Sequence, residues 1–186
     1  MIPNKWSKIL NSNPIFLITG EFKKISTLKN KLKNALLYEH KVLILRIKNT
    51  EVDIDATLNV TTKFCKKNNI PLLLNIPNKF SLKADGYHLQ AKELYEDFPP
   101  VSNKIIGASC HNAQEISLAL KLGCDYVLLS PIVKKYESEP LGWDNFFKLK
   151  NDFPEIKIIP LGGVNERNSM QDSYAGISHW WDLHSP

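Results

Sequence analysis

Lys104-Ile-Ile-Gly-Ala-Ser-Cys-His111 reads as an apolar strand closing in polar groups, and Asp125-Tyr-Val-Leu-Leu-Ser-Pro131 reads as a second. Between them, Asn112–Leu122 carries apolar residues at helical spacing, so Lys104–Gly142 holds a strand, a helix, a strand and the loop beyond it. Both strands end in polar or turn-forming residues where a parallel sheet presents its carboxyl edge, and ligands of α/β folds meet the protein at that edge. A further apolar run, Ile156–Leu161, leads straight into Gly162-Gly163.

The same alternation extends in both directions. Strands are expected at Ile15–Gly20, Val42–Lys48, Pro71–Asn75 and Asp85–Leu89, with helices at Lys23–Tyr38 and Asp53–Asn68 and a short turn over 91–97. Beyond the opening stretch come a helix at Trp143–Asn151, the strand Ile156–Leu161, a weaker helix at Asn165–Ser173 and a last strand over Gly176–Trp181. Most of these strands are continuous apolar runs, as strands buried on both faces must be. Eight such strands predict a compact α/β (β/α)₈ TIM barrel, with an open doubly wound sheet as its rival. At 186 residues the barrel is lean and its eighth helix is expected to be missing. The whole chain, 1–186, is read as a single domain.

Bulk properties narrow the function. A hydrophobic content of 43% argues against disorder, and no apolar run approaches the roughly 18 residues of a membrane span. The N-terminus lacks the apolar block of a signal peptide, so a cytoplasmic location is expected. The net charge of +5 comes from scattered lysines with few arginines, which favours a solvated surface over a nucleic-acid patch and still attracts phosphorylated small molecules. Cys65, Cys110 and Cys124 are sparse and unpaired in spacing, which fits a reducing compartment and argues against both a disulfide scaffold and a zinc site.

Candidate chemistry gathers at strand ends. Arg46 and Lys48 lie two residues apart and share a face; a fork and a mobile point charge suit phosphate or diphosphate, unless both are simply solvated. Gly162-Gly163 lets backbone N–H groups approach an anion, although any tight turn after a strand also uses glycine. His111 is read as a ligand contact or structural hydrogen bond more than a proton-transfer group, with Asn112 and Glu115 forming a helix cap beside it. Cys110 has no triad around it and is a poor nucleophile candidate. His88 reads as a packed, hydrogen-bonded histidine, Trp143, Trp180 and Trp181 as packing groups. Asn75, Asp85 and Glu93 are the acid or amide groups near the ends of strands three and four, and Asp85 precedes its strand, which puts it at the wrong end for a metal site.

Taken in order, these segments resemble the thiamine-phosphate synthase/TenI superfamily of compact (β/α)₈ barrels. Leu45-Arg46-Ile-Lys48, Leu74-Asn75, Asp85-Gly86-Tyr-His88-Leu89, Gly107-Ala-Ser109-Cys-His111, Gly123-Cys-Asp125-Tyr and Gly162-Gly163-Val carry the likeness. Ala108-Ser-Cys-His111, Leu129-Ser-Pro131, Pro140-Leu-Gly-Trp143 and the Trp-Trp pair resemble most the synthase-like C-terminal domain of mutator-type (MutT) Nudix hydrolases, here standing alone. The resemblance implies a transferase of thiamine biosynthesis that joins hydroxymethylpyrimidine diphosphate to thiazole phosphate, with Mg²⁺ as cofactor if the protein is active. Arg46, Lys48 and His111 would act catalytically; Asn75, His88, Ser109, Ser130, Gly162 and Gly163 would bind substrate. Glu93 would be a weak metal ligand.

Several family positions are altered. The acid after the strand-three Asn is Ile76, and the Gln before the arginine is Ile44. The segment after His-Leu is Gln90-Ala91-Lys92-Glu93, and the loop after strand six reads Lys135-Tyr136-Glu137-Ser138. Pro131 stands where the TenI tautomerase branch places its histidine. These changes motivate an alternative: a non-catalytic phosphate-ligand-binding relative, or a partner of a separately encoded Nudix hydrolase. A phosphorylated small molecule is thus the expected ligand and a homodimer a further candidate assembly. Neither nucleic acid nor membrane is expected.

Overall fold

The computed structural model describes residues 4–48, 51–97, 101–133 and 139–183. Eight parallel strands form one sheet among them: β1 (Ile15–Ile18), β2 (Lys41–Arg46), β3 (Leu72–Asn75), β4 (Gly86–Leu89), β5 (Ile105–Cys110), β6 (Tyr126–Leu129), β7 (Lys157–Pro160) and β8 (Ala175–Gly176). Their order is β7-β6-β5-β4-β3-β2-β1-β8, so β1 takes β8 on one side and the chain curls into a nearly closed barrel, as predicted. The helices are α1 (Asn4–Asn11), α2 (Ile25–Leu32), α3 (Ile54–Lys67), α4 (Ala113–Lys121), α5 (Gly142–Asp152) and α6 (Ser178–Trp181). Asp53 caps α3 by accepting from Ala56 N, and Asn112 caps α4 by accepting from Glu115 N, both at 2.9 Å. Single 3₁₀ segments over 33–37, 79–81 and 91–95 complete the connections.

Strand parity sorts the core into two layers. Phe16, Val42, Ile44, Leu73, Ile105, Tyr126, Leu128, Ile159 and Ala175 point into the barrel. Their immediate neighbours, among them Leu17, Leu43, Leu45, Leu74, Ala108, Val127 and Leu129, pack outward under the helices. Every strand is therefore buried on both faces, which is why its sequence is a continuous apolar run. Each fully buried side chain of this size contributes roughly 1.5–3 kcal/mol of transfer free energy.

Helix α1 was not anticipated. It brings Leu10 against the inner core at the N-terminal end of the barrel, where Lys157 donates to Leu10 O and, at 3.0 Å, to Asn13 Oδ1.

Two C-terminal expectations change. The helix expected over Asn165–Ser173 is a series of turns. Asn165 Oδ1 accepts from Arg167 N and Asn168 Oδ1 from Asn165 N, so asparagine side chains close local turns here. The strand expected over Gly176–Trp181 is the two-residue β8 followed by one helical turn, α6, in place of a full eighth helix. Trp180 turns inward and donates from Nε1 to Ile18 O at 3.0 Å and Gly176 O at 3.2 Å, while Asn34 Nδ2 donates to Trp180 O. Periodicity alone cannot separate such a short apolar run from a strand.

Candidate functional site

Continuing each inward-facing parity one step past the apolar layers reaches the C-terminal mouth. There Ile18, Arg46, Asn75, His88, Ser109, Ser130, Leu161 and Ile177, one from each strand or its extension, line a cavity of about 410 Å³ together with Lys48, Gln90 and His111. Seven of the nine residues nominated for catalysis or substrate binding thus meet around one space. Gly162 and Gly163 adjoin it next to Leu161, packed on the backbone of Pro131 and Val133. Their φ angles of +90° and +73° lie in the left-handed region, and Asn168 Nδ2 fixes the turn through Gly163 O at 2.9 Å.

Arg46 is held from behind. Thr19 Oγ1 accepts from Arg46 N at 2.8 Å and donates to Arg46 O at 3.1 Å, tying the ends of β1 and β2 together. Burial pushes the guanidinium's pKa down and the nearby Glu21 partly restores it; Arg remains charged under any working condition. Lys48, two residues on, is exposed on the same face.

Two histidines order the opposite wall. His88 Nδ1 meets the Tyr126 hydroxyl and Nε2 meets Ser109 Oγ, each at 2.9 Å. Tyr126 enters because Gly107, its partner across the β5–β6 ladder, has no side chain: a Cβ there would lie 2.0 Å from the Tyr126 ring. Burial, then the charges of Lys79 and Arg46, lower the His88 pKa to about 3, so the ring is neutral. Burial raises the Tyr126 pKa, which keeps its phenol protonated. With that phenol donating to Nδ1, Nε2–H donates to Ser109 Oγ and leaves the serine proton to point into the cavity. His111 Nδ1 donates to Ser130 O at 2.8 Å, which leaves Nε2 as the ring's second polar atom. Its backbone N donates to Glu115 Oε2 at 2.6 Å.

Other nominations fall elsewhere. Asp85 accepts from Leu72 N at 2.9 Å and lines a separate cavity of about 400 Å³ at the N-terminal ends of β3 and β4, as its place before the strand predicted. Cys110 has the outward parity, is fully buried, and burial pushes its thiol pKa far up, so it is no nucleophile. Glu93 sits beyond the cavity wall with both oxygens engaged. Oε1 pairs with the Lys79 ammonium, and Oε2 accepts from Gln90 N at 2.7 Å.

That arrangement does not fit Mg²⁺. A protein-held Mg²⁺ needs one or two carboxylates free to coordinate. Here the family's other acid position is the buried Ile76, and the oxygens of Glu93 are taken by an ammonium and an amide. Lys79 was not foreseen, because it lies in an irregular stretch whose lysines look like any solvated surface. Residues 134–138, with the altered loop after strand six, lie outside the described residues.

A nearly closed parallel barrel with cations, two oriented histidines and a diglycine turn at its C-terminal mouth defines a class, the compact (β/α)₈ barrels with a cavity at the C-terminal face of the sheet. Residues 15–180 match the family model of thiamine monophosphate synthase (TMP-TENI), and the chain belongs to that family. It is 30% identical over 182 residues to a thiamine-phosphate synthase of Prochlorococcus marinus subsp. pastoris, covering 91% of this chain and 50% of that protein. It is 26% identical to the thiamine-phosphate synthase of Vibrio campbellii, covering 90% of this chain and 87% of the relative. The chain thus spans about half the length of the first relative and most of the second. Among solved structures, thiamine phosphate pyrophosphorylase from Pyrococcus furiosus superposes with a TM-score of 0.67 at 22% identity, covering 90% of this chain and 87% of that one, which establishes the shared fold. No helix among the described residues is long and apolar enough to cross a membrane.

Proposed function

We propose that this barrel, residues 1–186 acting as one unit, joins a pyrimidine diphosphate to a thiazole phosphate, as a thiamine-phosphate synthase does. The observation that carries the reading is the convergence of Arg46, Lys48, Ser109, His111 and Ser130 on one cavity, with Gly162-Gly163 at its rim. Arg46 and Lys48 hold the diphosphate. The Gly162-Gly163 turn receives the thiazole phosphate through backbone N–H groups. Ser109 Oγ and His111 Nε2 offer polar groups between them, where the pyrimidine would sit. In the transfer, the thiazole nitrogen forms a bond to the pyrimidine methylene carbon while that carbon's bond to the diphosphate oxygen breaks. The bonding pair leaves with pyrophosphate, and Arg46 and Lys48 stabilise the charge gathering there.

Incubation with both substrates and chromatographic detection of thiamine phosphate tests this. Product should form, and Arg46→Ala should reduce it at least 100-fold; no product above the protein-free background refutes catalysis.

The Lys79–Glu93 pair supports a second reading, a phosphate-ester-binding relative without turnover; partnership with a Nudix hydrolase is the other alternative. It predicts saturable calorimetric binding of thiazole phosphate without product, and recovery of a Nudix protein in pull-down. A cytoplasmic location and homodimeric assembly complete the proposal.

A further inference from the structure

Lys79 is almost wholly buried, its side chain only 3% exposed, and its ammonium is paired with the Glu93 carboxylate beyond the C-terminal end of β4. The chain reaches that place because Asn78 adopts a left-handed φ of +52° and turns residues 79–81 back toward the barrel. From Lys79 the contacts lead inward: Glu93 holds Gln90 N, and Gln90 Nε2 lies 3.5 Å from Asn75 Oδ1. Gln90 and Asn75 both line the cavity, so the ammonium is linked to that wall through Glu93. Its charge is felt at His88 on the same wall, alongside that of Arg46. A buried ammonium with a single carboxylate partner is a costly thing to maintain, and this one adds positive charge behind a wall of the cavity that Arg46 and Lys48 also line.

We propose that Lys79 is the resident cation of this site, occupying through Glu93 the place a divalent metal would take, so that the barrel binds diphosphate without metal. The inference rests on the assignment of Arg46 and Lys48 to a diphosphate. The ammonium supplies the charge and Glu93 orients it. Ile76 leaves Glu93 as the single acid of the two family positions, and Lys79 occupies it.

Isothermal calorimetry with inorganic pyrophosphate, in EDTA and in millimolar Mg²⁺, tests it. The wild-type protein should bind in EDTA, and Mg²⁺ should change its Kd by less than about threefold. Lys79→Ala should lose about tenfold or more in EDTA and recover with Mg²⁺, because Glu93 is then released to coordinate. Lys79→Ala combined with Glu93→Gln should not recover. A purely structural role for Lys79 would lower affinity alike in both media, so a loss that Mg²⁺ leaves unrepaired overturns the proposal, as does an unchanged Kd for Lys79→Ala. Wild-type binding that requires Mg²⁺ overturns it without any variant and leaves the anion site standing. No pyrophosphate binding in either medium overturns both it and the diphosphate assignment.

Discussion

Replacing Gly107 with alanine should disable the wall of the cavity without touching a residue that lines it. The added Cβ would lie 2.0 Å from Cζ, 2.2 Å from Cε1 and 2.5 Å from the hydroxyl of Tyr126. Contacts below 3.0 Å are not sustained, so the ring must shift by about 1 Å or more. Tyr126 is fully buried between Phe16, at a ring separation of 4.7 Å, and the His88 ring, so it has no slack in which to move. Overpacking of this kind costs about 1–3 kcal/mol, and loss of the Tyr126–His88 hydrogen bond adds about 1 kcal/mol. A total of about 2–4 kcal/mol lowers Tm by roughly 5–15 °C for a chain of this size. Urea unfolding and differential scanning calorimetry would measure it. The diagnostic comparison is the same substitution in a Tyr126→Ala background, where the clash is gone and Gly107→Ala should cost no more than about 0.5 kcal/mol. An equal penalty in both backgrounds would refute the claim that Gly107 exists to admit Tyr126. So would a single variant as stable as the wild type.

The buried His88 makes stability depend on pH in a defined direction. The unfolded imidazole takes its proton near 6.5 and the native ring only near 3, so the unfolded state binds more protons between those values. Its contribution is complete above pH 6.5 and is lost as pH falls toward 3, by up to about 1.4 kcal/mol per pH unit. Unfolding curves at pH 7, 6 and 5 should show this slope, and His88→Gln should flatten it; an unchanged slope in the variant rejects the assignment. Arg46→Ala should weaken pyrophosphate binding about 10- to 100-fold, the range for a charged hydrogen-bonding group, with Tm nearly unchanged. Cys110 should resist thiol-specific reagents in the native protein and react only in denaturant, while any activity should survive Cys110→Ala; rapid native labelling would contradict its burial.

The mouth of the barrel was legible because strand chemistry and strand parity agree. Arg46, Asn75, His88, Ser109 and Ser130 are the first polar residues after apolar runs, and each has the parity of the inner core. Once the strands are placed, a period of two suffices to gather those five. Tyr126 escaped because a tyrosine inside an apolar strand reads as core, and only the missing side chain of Gly107 opens its path to His88. Lys79 and the role of Glu93 escaped for a different reason. Their pairing joins two irregular segments on either side of β4, and no periodicity relates them. The C-terminal turns were misjudged where local side chains compete with the backbone, as at Asn165 and Asn168. Helix α1 lies ahead of the first apolar run, and its role depends on a barrel end that exists only once the sheet has curled.

A ring that takes one residue from each of eight strand ends has no partial version. Fraying any single βα unit removes one wall of the cavity, so a bound anion is felt by the whole sheet and not by the loop it happens to touch. Ligand binding should therefore raise the free energy of global unfolding by RT ln(1 + [L]/Kd), about 2.7 kcal/mol at a hundredfold excess over Kd. Amide exchange should slow throughout the sheet, including β8 with its two paired residues. Occupancy and the integrity of the ring of strand ends are linked thermodynamically in this protein.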